Sequence, residues 1–116
     1  MGRTMTPTEV RAPVGARLLE VDWDDGKTTF FRHVVLRGFC PCAVCQGHEG
    51  AIEWVDVEGD SALELSGLHE TGQYGLRLEW GDGHATGIYS FRFLQDLAEL
   101  HGQDEGEIRK HSFRRP

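Results

Sequence analysis

The stretch Tyr74-Gly75-Leu76-Arg77-Leu78-Glu79-Trp80-Gly81-Asp82-Gly83-His84-Ala85-Thr86-Gly87-Ile88-Tyr89-Ser90-Phe91 decides the fold. Tyr74, Leu76, Leu78 and Trp80 fall at every second position, the period of a strand with one buried face. Gly81-Asp82-Gly83 interrupts that pattern, and Asp-Gly accepts the positive φ that a tight hairpin requires. Residues 84–89 then read as the returning strand. Ser90 places a hydroxyl where a helix N-terminus needs an acceptor. Beyond it Phe91, Leu94, Leu97 and Ala98 lie on one helical face, and Gly102 can close the helix.

The same grammar recurs earlier in the chain. Leu19, Val21 and Trp23 alternate with Leu18, Glu20 and Asp22, Asp24-Asp25-Gly26 makes a turn, and the β-branched and aromatic run 28–36 suits a return strand. His33 falls within that expected strand. Residues 51–57 read as a further strand, 58–60 as a turn, 62–65 as a short strand and 66–72 as irregular. Val21-Asp22-Trp23-Asp24-Asp25-Gly26 echoes Leu78-Glu79-Trp80-Gly81-Asp82-Gly83, which a shared hairpin geometry explains without duplication. The expected architecture is α+β: a mainly antiparallel sheet with one C-terminal helix packed on a face, in two layers. Residues 1–13 read as a flexible lead-in, 14–102 as a single domain, and 103–116 as a flexible charged tail.

Composition fits a small globular domain. Leu, Ile, Val and Phe make up 28 of 116 residues, above the sparse level of disordered chains. No apolar run approaches the ~18 residues of a membrane span, and no secretory signal opens the chain, so a cytoplasmic protein is expected. The net charge of −7 is unevenly spread: +2 over residues 1–17, −13 over 18–108 and +4 over 109–116. So acidic a body repels phosphate backbones and argues against nucleic-acid binding by the core.

The chemistry concentrates in Cys40-Pro41-Cys42-Ala43-Val44-Cys45. Three cysteines within six residues make a poor disulfide framework, and with no export signal they point to reduced thiols and a metal. Three thiolates plus one imidazole form a tetrahedral, closed zinc site. Of the six histidines, two compete for the fourth position. His48 lies three residues beyond Cys45, a favourable local spacing. His84 lies in a glycine-flanked turn, from which a metal would tie the cysteine loop to the sheet. Spacing slightly favours His48 and leaves the choice open. His101 and His111 read as surface residues, and His69 carries no signal.

Other chemistries are poorly supported. No histidine is followed two residues later by Asp or Glu, so the facial triad of a non-haem iron dioxygenase is not seen. Gly26-Lys27-Thr28 resembles the end of a phosphate loop, but Val21 stands where its first glycine belongs. No nucleophile–base pattern stands out, and catalysis is not expected.

Leu36-Arg37 ahead of Cys40-Pro41-Cys42-Ala43-x-Cys45, followed by Gly72-x-Tyr74 and Trp80-x-Asp82-Gly83-His84-x-Thr86-Gly87-Ile88-Tyr89, resembles the gamma-butyrobetaine hydroxylase-like N-terminal domain family. Trp23-x-Asp25-Gly26 resembles its first hairpin, and the likeness spans residues 12–102. Gly38-Phe39 departs from the more polar residues of that family. Such domains precede gamma-butyrobetaine and trimethyllysine dioxygenases, stand alone in bacteria, and are fused to Mrp-type iron–sulfur cluster carrier ATPases. The resemblance implies zinc held by Cys40, Cys42, Cys45 and His84, which turns the choice from His48 to His84. It implies a protein partner, either an Mrp-type carrier or a dioxygenase. The expected function is that of a zinc-binding, non-catalytic accessory or interaction domain. An iron–sulfur cluster assembly or carrier accessory protein is the alternative, with iron or a cluster in place of zinc. Only three cysteines weigh against that alternative, because a stable cluster normally takes four.

Overall fold

The computed structural model describes residues 5–13, 15–41, 51–85, 87–101, 107–108 and 113. Strands β1 (Pro7–Arg11), β2 (Leu18–Trp23) and β3 (Thr28–Arg32) form one antiparallel sheet in that order. Helix α1 (His33–Gly38) follows β3 directly. A 3-10 turn (Asp60–Leu63) leads into β4 (Leu65–Thr71), β5 (Gly75–Trp80) and β6 (Gly87–Ser90), a second antiparallel sheet in the order β4-β5-β6. Helix α2 (Phe91–His101) closes the described fold and packs against β3 and β6. The class is the expected α+β, but the strands fall into two three-stranded sheets.

The period-two faces carry the core. Leu19, Val21 and Trp23 of β2 are buried, as are Leu76, Leu78 and Trp80 of β5. They join Phe31, Val35, Leu36, Tyr89, Leu94 and Leu97 in one apolar cluster that spans both sheets and both helices. Burying each such side chain is worth about 1.5–3 kcal/mol, so this cluster is the main source of stability. Tyr74, the first residue of the alternating set, lies outside β5 and is exposed.

The two echoing segments form the same turn. The Trp23 amide donates to the Lys27 carbonyl and the Trp80 amide to the His84 carbonyl, each at 2.8 Å. The Gly26 and Gly83 amides return to the Trp23 and Trp80 carbonyls at 3.0 and 2.9 Å. Both glycines have positive φ, 87° and 90°, which a Cβ would oppose. In each turn an aspartate, Asp25 or Asp82, accepts from the amide two residues on, that of Lys27 or His84.

Several expected elements are corrected. The lead-in expected over 1–13 contains strand β1, an edge strand paired with β2. The strand expected over 28–36 ends at Arg32, and His33 to Gly38 turn helical so that His33, Val35, Leu36 and Arg37 are buried. The strand expected over 51–57 reduces to one bridge between Ile52 and Phe113. Phe113, within the range 103–116, is buried between Phe39 and Phe93. The irregular stretch expected over 66–72 belongs to β4 as far as Thr71.

Candidate metal centre

Cys40 sits just past α1, where the helix is stopped and sealed. The Phe39 amide donates to the Val35 carbonyl (3.1 Å) and the Cys40 amide to the Arg37 carbonyl (3.3 Å). Gly38 lies against the Trp54 indole so closely that an added Cβ would fall 2.3 Å from the ring. Phe39 is buried among Trp54, His101 and Phe113. The Gly38-Phe39 departure therefore has a packing cause: the glycine admits an indole and the phenylalanine anchors an aromatic cluster. Cys40 itself is fully buried.

His84 arrives from the other sheet. It ends the turn after β5, with its amide held by Asp82 Oδ1 at 3.1 Å. Its Nε2 lies 3.2 Å from Cys40 Sγ, although the two residues are 44 apart in sequence. Burial, reinforced by the Arg37 guanidinium, pushes the imidazole below its ordinary pKa against an opposing pull from Asp82. This favours the neutral ring, which has a lone pair to offer. Gly87 completes the cradle, since a Cβ there would fall 2.7 Å from Cys40 Sγ.

This pair suits a metal by its donor chemistry and spacing. Two ligands of one tetrahedral zinc, at bond lengths of 2.3 Å to sulfur and 2.05 Å to nitrogen, stand about 3.6 Å apart. The observed 3.2 Å is within a few tenths of that. Cys42, Cys45 and the rival His48 lie outside the described residues. Among the described residues no group of three His, Cys, Asp or Glu side chains converges on one point.

The other histidines have different surroundings. His33 is buried at the start of α1, Nδ1 donating to the Leu63 carbonyl at 2.9 Å and the ring edge-on to Trp80. His101, expected at the surface, is 1% exposed beside Phe39, a correction that follows from the helix turning it inward with Leu94 and Leu97. His69 is exposed on β4 and pairs with Glu79 at 3.2 Å. His111 lies outside the described residues.

Two neighbours of the pair were quoted in the sequence motifs without a role. Arg37 is buried, and its Nη2 donates to Asp82 Oδ2 at 3.3 Å. Burial raises the Asp82 pKa, but the His84 amide and the Arg37 cation together hold the carboxyl below its ordinary value. The signal was available in the sequence: an arginine three residues before Cys40 and an aspartate two before His84.

The family model described as gamma-butyrobetaine hydroxylase-like, N-terminal, matches residues 10–95. Among solved structures, a DUF971-family protein of unknown function from Acidithiobacillus ferrooxidans is similar at 33% identity and TM-score 0.63, over 79% of this chain and 91% of that one. A protein solved in solution is similar at 29% identity and TM-score 0.67, over 85% of this chain and 75% of that one. A comparison with curated proteins found no match. Among the described residues no helix is long and apolar enough to cross a membrane.

Proposed function

The chain belongs to the gamma-butyrobetaine hydroxylase-like N-terminal domain family, and from that premise we propose that it is a small zinc-binding accessory domain without catalysis of its own. Cys40, Cys42, Cys45 and His84 would hold the metal. Bound there, zinc supplies a cross-link and a closed coordination sphere, and four protein ligands leave no position for substrate. The observation that carries this reading is the approach of Cys40 Sγ to His84 Nε2, two zinc-type donors brought together from the end of α1 and the turn after β5.

The chain's own residues prepare that pair. Asp82 fixes the backbone of His84. Tyr89 donates its hydroxyl to the Leu36 carbonyl, which ties β6 to α1 beside Cys40. Gly87 leaves room for the sulfur, and the apolar surroundings of Cys40 exclude water from it. A structural zinc contributes about 10–16 kcal/mol apparent in small peptides, comparable with the whole ~5–15 kcal/mol net stability of a domain. Release of the metal should therefore loosen the approach of Cys40 to His84 and lower the melting temperature.

The deciding test is elemental analysis with an absorption spectrum, on protein purified without oxygen or added metal. One zinc per chain and no visible absorbance supports this reading. Iron with sulfide and a brown chromophore replaces it with a role in iron–sulfur cluster assembly, in service of an Mrp-type carrier. Fully reduced protein with no bound metal refutes both.

A further inference from the structure

A chain of three hydrogen bonds links the backbone of Cys40 to that of His84 without passing through either side chain. The Cys40 amide donates to the Arg37 carbonyl at 3.3 Å. The guanidinium of the same arginine donates to Asp82 Oδ2 at 3.3 Å. The other oxygen, Asp82 Oδ1, accepts the His84 amide at 3.1 Å. One arginine thus grips the cysteine segment with its main chain and the histidine turn with its side chain. Its own placement is over-determined: it lies in α1 between Leu36, fully buried, and Gly38, packed on Trp54.

The sister turn shows what this bridge adds. Asp25 fills the same position as Asp82 and likewise accepts the amide two residues on, which is Lys27. No salt bridge ties Asp25 to a cation among the described residues, whereas Asp82 meets Arg37 across 45 residues. The turn therefore folds from its own chemistry in both places. Each turn also meets a neighbouring strand segment through its backbone, the Asp24 amide donating to the Thr6 carbonyl and the Gly81 amide to the Glu64 carbonyl. The Asp82 carboxylate alone of the two adds a salt bridge to a distant cation, and that cation lies on the segment that carries Cys40.

We infer that Arg37 and Asp82 are a positioning pair that sets the separation of Cys40 and His84 and thereby the rate at which a metal held between them escapes. The inference rests on the zinc reading above. Neither residue touches the metal in this account. A fixed pair of donors loses little freedom on binding, whereas donors on two independently moving segments release a metal by parting. Loss of outer-shell contacts of this kind typically costs about 10–100-fold in metal affinity.

The test compares Asp82→Asn, Arg37→Gln and Arg37→Lys with the parent protein and with Gly26→Ala, which weakens the sister turn and serves as the control for general loss of stability. Zinc release into a chromogenic chelator is timed for each, and visible spectra are recorded after cobalt substitution. Asp82→Asn and Arg37→Gln should release zinc about 10–100-fold faster and shift the cobalt bands. Arg37→Lys should recover part of the loss, because a lysine still offers Asp82 a cation, and Gly26→Ala should match the parent in both readouts. Asp82→Asn tolerates the site sterically, so it remains informative if the buried Arg37 variants fail to fold. Release no faster in Asp82→Asn than in Gly26→Ala overturns the positioning role while leaving the zinc site standing. A parent protein that carries no zinc overturns the site and the positioning role together.

Discussion

Replacing Gly87 with alanine tests the cradle around Cys40 most directly. The added Cβ would fall 2.7 Å from Cys40 Sγ and 3.2 Å from Tyr89 Cε1. Atoms of this size rest at roughly 3.5–4.0 Å, so about 1 Å of separation must be found. The strand has little to give, because Gly87 is paired with Leu78 of β5. Tyr89 is held by its hydroxyl on the Leu36 carbonyl. The sulfur is left to move, and any such movement disturbs its 3.2 Å approach to His84 Nε2. Overpacking of this kind costs about 1–3 kcal/mol. With an unfolding entropy of about 2.1 cal/mol/K per residue, a chain of this length loses roughly 4 °C per kcal/mol, or about 4–12 °C in all. Melting followed by circular dichroism on Gly87→Ala, Cys40→Ala and the double variant reads this out. Removing the sulfur makes room for the new methyl, so the two costs should not add, and the double variant should be more stable than their sum by about the size of the clash. A Gly87→Ala melt within 1 °C of the parent, or strictly additive costs, refutes the argument.

Other perturbations probe other links. Phe113→Ala removes a buried ring that lies edge-on to Phe39 and Phe93, at 5.1 and 5.5 Å between centroids, and should cost about 3–5 kcal/mol in urea unfolding. A loss under 1 kcal/mol would mean that Phe113 does not belong to the core. Asp22 is hydrogen-bonded first by Arg11 and then by Thr28, which lowers its pKa to about 2. A depressed carboxylate contributes stability that is present above its unfolded pKa of about 4 and is lost as pH falls through the folded value. Asp22→Asn should therefore flatten the decline in stability between about pH 4 and pH 2 and leave its slope above pH 5 unchanged; an unaltered acid limb would argue against the pairing. On the zinc reading, Cys42→Ala should lose the metal and melt at a sharply lower temperature, and full zinc content with an unchanged melt would remove Cys42 from the ligand set.

What could be read from the sequence was what local chemistry controls. The alternation of Leu19, Val21 and Trp23 and of Leu76, Leu78 and Trp80 gave two strands with their inner faces. Ser90 caps α2 as its position suggested, its Oγ accepting the Phe93 amide at 3.0 Å. The misreadings occur where distant partners decide. Strand β1 has polar exposed positions in Thr8 and Glu9 and exists because β2 offers an edge. Strand β4 buries nothing completely, so it has no alternation to detect. Val34 and Val35 favour a pleated surface, yet helical geometry buries His33, Val35 and Leu36 together, and tertiary packing overrides propensity. The pattern over 51–57 satisfies a strand template, but the partner of Ile52 is Phe113, sixty-one residues away. His101 was missed for the same reason: the ring that covers it, Phe39, belongs to another helix end.

The candidate site follows the same division. The turn that carries His84 could be read because Asp82 and Gly83 build it locally, and its twin over 23–27 shows that the geometry needs no metal to form. The placement of Cys40 could not, since it depends on Trp54 filling the space that Gly38 leaves and on the Gly38 carbonyl accepting the Val55 amide at 2.8 Å. Both halves are thus fixed by contacts that belong to the scaffold. The core already joins the sheets through Phe31, Leu36, Trp80 and Tyr89, and the Arg37–Asp82 contact then sets how Cys40 meets His84, so a metal need not assemble the sheets. On the zinc reading, metal removal should reduce protection of the amides of Cys40 and His84 while those of β2 and β5 stay protected. Hydrogen exchange with and without chelator separates this from a fold that collapses whole, in which every strand would lose protection at once.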